Sequence, residues 1–206
     1  MRQIPRHGDQ ESRVIPANEY RRMRWSNGAG WTREICTGRL RKGGNGDWDY
    51  RLSIAEIESE AAYSRFPGID REHVLLHGNG LRLRFDDGEE CALDPPHTRL
   101  RFAGERGVTG APVDGTAHAF NLMWRRDALQ AELLHRPLVG SMFFFAEPGT
   151  HWALHLIAGQ ARFREDCGLP PLWAGDTALL SGAAGRRRYM LDGGGELLAI
   201  RLLARD

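Results

Sequence analysis

Polar and apolar residues alternate along this chain with the period of two that belongs to strands. From Tyr50 to Ile57, Leu52 and Ile54 fall on one face and Arg51, Ser53 and Ala55 on the other. From Val74 to Phe85 the pattern predicts a hairpin turning at Gly78-Asn79-Gly80, with Leu81, Leu83 and Phe85 opposite Arg82 and Arg84. Asp86-Asp87-Gly88 reads as a second turn, and Thr98, Leu100 and Phe102 then alternate with His97, Arg99 and Arg101. The same grammar returns in the second half. Ala153 to Arg164 carries Gly159 where the first half has Gly78, Ala174 to Leu180 falls where the first half has Asp94 to Phe102, and Glu196 to Leu203 closes the chain as an apolar strand. With 25 glycines and 10 prolines set between the short apolar runs, the chain reads as all-β. Two copies of one β unit follow, at residues 14–135 and 136–206, joined near 136–148 and preceded by a loose polar segment at 1–13. The stretch Asp127 to His135 winds as a helix or extends as a strand equally well.

Composition narrows the function classes. Apolar residues make up 41% of the 206, enough for a real interior, and the net charge of +1 leaves no electrostatic footprint for nucleic acid. Arginine outnumbers lysine so far that Lys42 stands alone, and the run Arg186-Arg187-Arg188 reads as a solvated loop or strand start. Cys36, Cys91 and Cys167 are odd in number, widely spaced and without a CxxC pair, so neither a disulfide framework nor a zinc site is expected. No signal-peptide core and no membrane-length apolar run occurs, which makes a cytoplasmic setting the expectation.

Chemistry concentrates between Trp25 and Arg71. Asn27-Gly28 begins a turn, and Thr32, Arg33 and Glu34 start a strand whose alternation sends Arg33 and Glu34 to opposite faces. Arg51 and Ser53 share a face that is either a polar lumen or solvent, and a guanidinium in a lumen suits a carboxylate through paired hydrogen bonds. Arg71 follows Asp70, which either orients it or leaves it to a surface pair. Asn121, set between Phe120 and Leu122, lines a polar cavity or the outer face, because an unpartnered amide in a core is costly. Tyr63, Ser64 and Phe66 offer a hydroxyl and an apolar wall. Ser64 lacks the elbow and the base that a nucleophile needs. The glycines near Asn27 precede neither a helix nor a lysine, which argues against a phosphate cradle.

Four segments in order, Trp25 to Ile35, Arg51 to Glu56, Phe66 to Arg71 and Phe120 to Arg125, resemble the HutD/Ves family of the cupin superfamily across roughly residues 15 to 203. One departure is Ala29, where the family's Asn-Gly-Gly-Gly stretch has a glycine. The resemblance implies a bicupin of two tandem jelly-roll barrels and a bacterial protein, and in the HutD branch, as distinct from the stress-induced Ves branch, it further implies binding of a pathway metabolite, formylglutamate- or urocanate-like, and restraint of histidine utilisation. It favours Asn27, Arg33, Arg51, Ser53, Ser64, Phe66, Arg71 and Asn121 as ligand-binding residues. It also implies no cofactor. A cupin metal site needs a His-x-His pair, and none of the eight histidines supplies one, although His151 and His155 lie near Glu147. The expected partner is a small carboxylate-bearing metabolite, with a homodimer also possible at an open sheet edge. The residues leave two other readings open. One is a metal-free isomerase or hydrolase using Glu34 or Glu56 as base, and the other is an interaction module without a ligand. The orientation of those two glutamates discriminates between binding and catalysis.

Overall fold

The structure, a computed structural model, describes residues 11–40, 47–182 and 185–205. Its strands in chain order are β1 (Arg13–Ile15), β2 (Arg21–Arg24), β3 (Gly30–Gly38), β4 (Tyr50–Ile57), β5 (Ala61–Ala62), β6 (Ile69–His77), β7 (Leu81–Phe85) and β8 (Glu90–Leu93). They continue as β9 (Arg99–Ala103), β10 (Val108–Pro112), β11 (Ala117–Arg125), β12 (Leu129–Ala146), β13 (Thr150–Phe163), β14 (Leu172–Trp173), β15 (Thr177–Ser181) and β16 (Arg187–Ala204). Beyond these, only two short 3-10 turns are regular among the described residues, and no helix is long and apolar enough to cross a membrane. The all-β expectation holds.

The described chain forms two units, one of residues 19–37 and 47–128, the other of residues 11–18, 38–40, 129–182 and 185–205. The first unit carries a six-stranded sheet, β2-β3-β4-β11-β6-β9, and a four-stranded sheet, β5-β10-β7-β8. Ile57, Leu75, Leu81, Leu83, Phe85, Leu93, Phe102 and Val108 form its core, drawn from strands of both sheets. Each such side chain, removed from water, contributes about 1.5–3 kcal/mol. β7 follows the period of two, with Leu81, Leu83 and Phe85 buried and Arg82 and Arg84 exposed.

The hairpin expected at Val74 to Phe85 is not one. β6 pairs with β11 and β9, whereas β7 pairs with β8 and β10 in the other sheet. Both edges of β6 are already occupied, so the chain must leave that sheet after His77. Gly78 and Gly80, with φ of 104° and 146°, carry it round the corner. Asp86-Asp87-Gly88 does close a hairpin, between β7 and β8.

In the second unit β1, β15, β13, β16 and β12 form one sheet in that order, with β14 paired to β13. β12 and β16 run antiparallel from Leu129↔Ala204 to Ala146↔Arg187. Asp127 to His135, ambiguous in sequence, is therefore extended from Leu129 onward because β16 supplies partners along its whole length. β12 also continues through residues 136–146. Leu154, Leu156, Leu172, Leu180, Leu191 and Leu197 lead its core. Of the segment expected to be loose, residues 1–10 lie outside the described residues. Ser12 bonds the Tyr189 hydroxyl at 2.5 Å and Arg13 opens β1. Arg186, Arg187 and Arg188 are exposed, as the sequence suggested.

Candidate functional site

Three neighbouring strands of the six-stranded sheet lay out the site in rows. Across β4, β11 and β6, Ser53 pairs with Asn121 and Asn121 with His73. One pleat further along, Arg51 pairs with Met123 and Met123 with Arg71. Because the strand period is two, both rows point to the same face. On the other side of the polar row comes an apolar one, Ala55, Ala119 and Leu75, which belongs to the core. The same face thus changes from core to cavity within two pleats. Leu52 and Ile54 on the opposite face are also buried, so neither face of β4 is the solvent side.

The two rows form one wall of a cavity of about 220 Å³. The remaining wall comes from the Trp25–Asn27 turn, Thr32, and the segment from Ala62 to Phe66. The turn is self-braced. Ala29 N–H donates to Asn27 Oδ1 at 3.1 Å, Gly28 N–H to the Trp25 carbonyl at 3.0 Å, and Trp25 Nε1 to Thr32 Oγ1 at 2.8 Å. Gly28 has φ of 73°, while Ala29 is not in the left-handed region, which explains why an alanine is accepted there. At Gly30 a Cβ would overlap the Glu56 carbonyl, so only glycine lets β3 lie this close to β4.

Arg71 dominates the electrostatics. It is 6% exposed and sits over the rings of Tyr63, Phe66 and Phe102 at 5.4, 5.6 and 5.2 Å. Its Nη1 donates to the Ser64 carbonyl at 3.4 Å and its Nη2 contacts His73 Nε2 at 3.2 Å. Among the described residues no carboxylate pairs with it, and its buried Nε has no hydrogen-bond partner. Burial pulls its pKa down to about 10, with the neighbouring Arg51 charge acting in the same direction. It is therefore still a cation at neutral pH.

Arg51 differs. Its Nε donates to Glu34 Oε2 at 2.7 Å, and both side chains are about one-fifth exposed. His73 is buried and held neutral, by burial first and by the Arg71 charge second. A guanidinium only donates, so His73 Nε2 accepts and the proton is assigned to Nδ1. His73 Nδ1 and Asn121 Oδ1 are buried without a hydrogen bond of good geometry, although the Asn121 side chain acts on His73 as a hydrogen-bonding neighbour that partly opposes its lowered pKa, and Asn121 Nδ2 reaches Ser53 Oγ at 3.4 Å. The Tyr63 hydroxyl is likewise buried and unpartnered, packed where a side chain on Gly110 would overlap it, and burial raises its pKa.

Of the residues singled out in the sequence, Asn27, Arg51, Ser53, Ser64, Phe66, Arg71 and Asn121 line this one cavity. Arg33 does not. It lies on the opposite face of β3 from Thr32 and pairs with Glu56 Oε1 at 2.8 Å, while Arg22 holds Glu56 Oε2 at 2.6 Å. Glu34 and Glu56 are both in ion pairs and neither lines the cavity. Asp70 turns away from Arg71 to Arg101 and Arg126. His73 is the main residue the sequence reading passed over as a binding group. Its position two residues after Arg71 on one strand is the signal that places it on the same face. In the second unit His155 contacts Thr177 Oγ1 at 3.0 Å, and burial pushes His151 down to about 4.

The HutD family model matches residues 17–199. An uncharacterised 21.2 kDa protein in the hutC 3′ region of Pseudomonas putida is 35% identical over 122 residues, 58% of this chain and 62% of that protein. Protein Ves of Cronobacter sakazakii is 36% identical over 53% of this chain and 58% of its own length. The chain thus aligns with about three-fifths of these curated relatives. Among solved structures, HutD from Pseudomonas fluorescens SBW25 is similar at 27% identity and TM-score 0.79, covering 95% of this chain and 100% of that one. A conserved protein of unknown function from Pseudomonas aeruginosa PAO1 gives 27% identity and TM-score 0.77, covering 96% and 100%. A Bacillus subtilis oxalate decarboxylase, 10% identical with TM-score 0.62 over 97% of this chain and 79% of that one, shares the cupin fold alone.

Proposed function

Since this chain belongs to the HutD family, we propose that it binds a small carboxylate-bearing metabolite in the cavity of its first unit and thereby modulates histidine utilisation. The observation that carries the reading is Arg71, a buried cation with no carboxylate partner and an unsatisfied Nε beside a cavity. An isolated buried charge costs several kcal/mol, and a carboxylate ligand would offset that through charge-assisted hydrogen bonds. Ser53, His73 and Asn121 add neutral polar side chains to the lining for a ligand's second functional group. The pathway assignment is supported by the names of the relatives, one in the hutC region and one called HutD. The candidate ligands are of two charge types, a formylglutamate-like acid with two carboxylates and a urocanate-like acid with one.

The reading is metal-free because of the donor set. The lining supplies one imidazole, two guanidiniums and no carboxylate, which repels a divalent cation rather than coordinating it. Catalysis through Glu34 or Glu56 is disfavoured because both glutamates lie outside the lining and each is held in an ion pair. A module without a ligand would leave Arg71 uncompensated for no return.

The test is calorimetry with small carboxylates on the parent protein and on Arg71→Met. Loss of a buried carboxylate partner costs about 2–5 kcal/mol, so the variant should bind at least thirtyfold more weakly. The ligand-free variant should also melt higher than the parent, because an unpaired buried charge has been replaced by an apolar chain of similar length. Equal affinities, or no binding of any small carboxylate by the parent, would overturn the proposal.

A further inference from the structure

The two arginines of the cavity are not electrostatically equivalent, and the difference has a consequence for ligand choice. Arg51 already has an anion, since Glu34 Oε2 accepts from its Nε at 2.7 Å. Arg71 has none among the described residues. The other ionisable groups near this face do not change the balance. His73 is neutral, Tyr63 is protonated, and Glu56 is neutralised by Arg22 and Arg33 on the far side of the sheet. No aspartate or glutamate lines the cavity. The fixed charges are thus two cations and one anion, a net of one positive charge.

From this count we infer that Glu34 is a specificity-determining residue: it serves as a built-in counter-anion for Arg51 and so selects singly charged carboxylates over doubly charged ones. The inference rests on the carboxylate-binding reading above. A monocarboxylate on Arg71 brings the site to neutrality. A second carboxylate would have to reach Arg51, where Glu34 already sits, and the site would then carry one unbalanced negative charge. The Arg51–Glu34 pair is only about one-fifth exposed, so solvent screens that repulsion incompletely. The other polar residues of the lining, Ser53, Tyr63, His73 and Asn121, are neutral and suit an amide, hydroxyl or ring nitrogen rather than a second anion.

The experiment uses a matched pair of probes, succinate and its monoamide succinamate, which are close in size and differ by one charge at pH 7.5. They are titrated by calorimetry into the full chain, into Glu34→Gln and into Arg71→Met, with thermal melts to confirm folding. The parent should prefer succinamate. Glu34→Gln frees the Arg51 charge and should shift the succinate-to-succinamate affinity ratio toward succinate by about tenfold, the scale of a partly buried charge interaction. Raising the salt concentration should shrink that shift. An unchanged ratio in Glu34→Gln, with both probes still dependent on Arg71, overturns the role of Glu34 and leaves the carboxylate site standing. Failure of both probes to bind the parent, or binding unaffected by Arg71→Met, overturns the carboxylate reading itself. Should Glu34→Gln fail to fold, Arg51→Gln tests the same idea from the other side. With Glu34 then unbalanced, succinate must weaken more than succinamate, and equal weakening counts against the inference.

Discussion

At the scale of single residues, the site is a set of polar groups held at a cost. Arg71, His73 and Asn121 are buried with hydrogen-bonding capacity unused, which folding alone does not favour. Parity along a strand makes part of this readable in the sequence. Arg51 with Ser53, and Asn121 with Met123, recur at every second position and share a face. Chemical type alone does not say that Arg51 is neutralised and Arg71 is not, because Glu34 and Arg51 meet only through the pairing of two strands. The buried histidines carry a pH prediction. His73 and His151 have native pKa values pushed below that of the free imidazole, His151 to about 4. In each case the unfolded chain binds the proton more readily than the native one. Stability from these groups is therefore present above about pH 6.5 and is lost as pH falls toward the native values. Denaturant unfolding between pH 6.5 and 4 should show His73→Gln losing less stability per pH unit than the parent, by about 1.4 kcal/mol for the one proton removed. Identical slopes would contradict the buried, neutral assignment of His73.

At the scale of elements, strand pairing decides what the residues do. β3 delivers Thr32 to the cavity and Arg33 to its other face, and this parity separates Arg33 from the other candidates. The close approach of β3 to β4 depends on Gly30, where an added methyl would press on the Glu56 backbone. Gly30→Ala should destabilise by about 1–3 kcal/mol in chemical denaturation, as overpacking does. Ligand affinity should fall with it, because the Trp25–Thr32 wall must move away from Arg51. A variant with parent stability and affinity would show that the contact is not tight. The corner at Gly78-Asn79-Gly80 shows the limit of local reading. Glycine spacing marks a reversal in either case, and a hairpin differs from a change of sheet only in which strands already occupy the edges of β6.

For the whole molecule, the cavity lining falls entirely within the unit of residues 19–37 and 47–128. Ligand binding should therefore stabilise the protein by mass action, by about 2.7 kcal/mol when ligand is at one hundred times its dissociation constant. Thermal melts with a bound carboxylate should show that rise equally with and without a strong chelator, given a lining of cations rather than metal ligands. A rise abolished by the chelator would mean that a metal bridges ligand and protein.

The alternation of short apolar runs and the turn-forming glycines determined the all-β class from sequence alone, and the resemblance carried by four segments between Trp25 and Arg125 pointed to the family and to about half of the cavity residues. They could do so because a strand's period of two and a turn's backbone needs are local and are written directly into residue order. Only the tertiary structure decided which cation is left without an anion, that His73 joins the site, that Arg33 leaves it, and that Gly78 turns the chain into a second sheet. Those outcomes depend on strands far apart in the chain lying side by side, and electrostatic balance belongs to that juxtaposition rather than to any one segment.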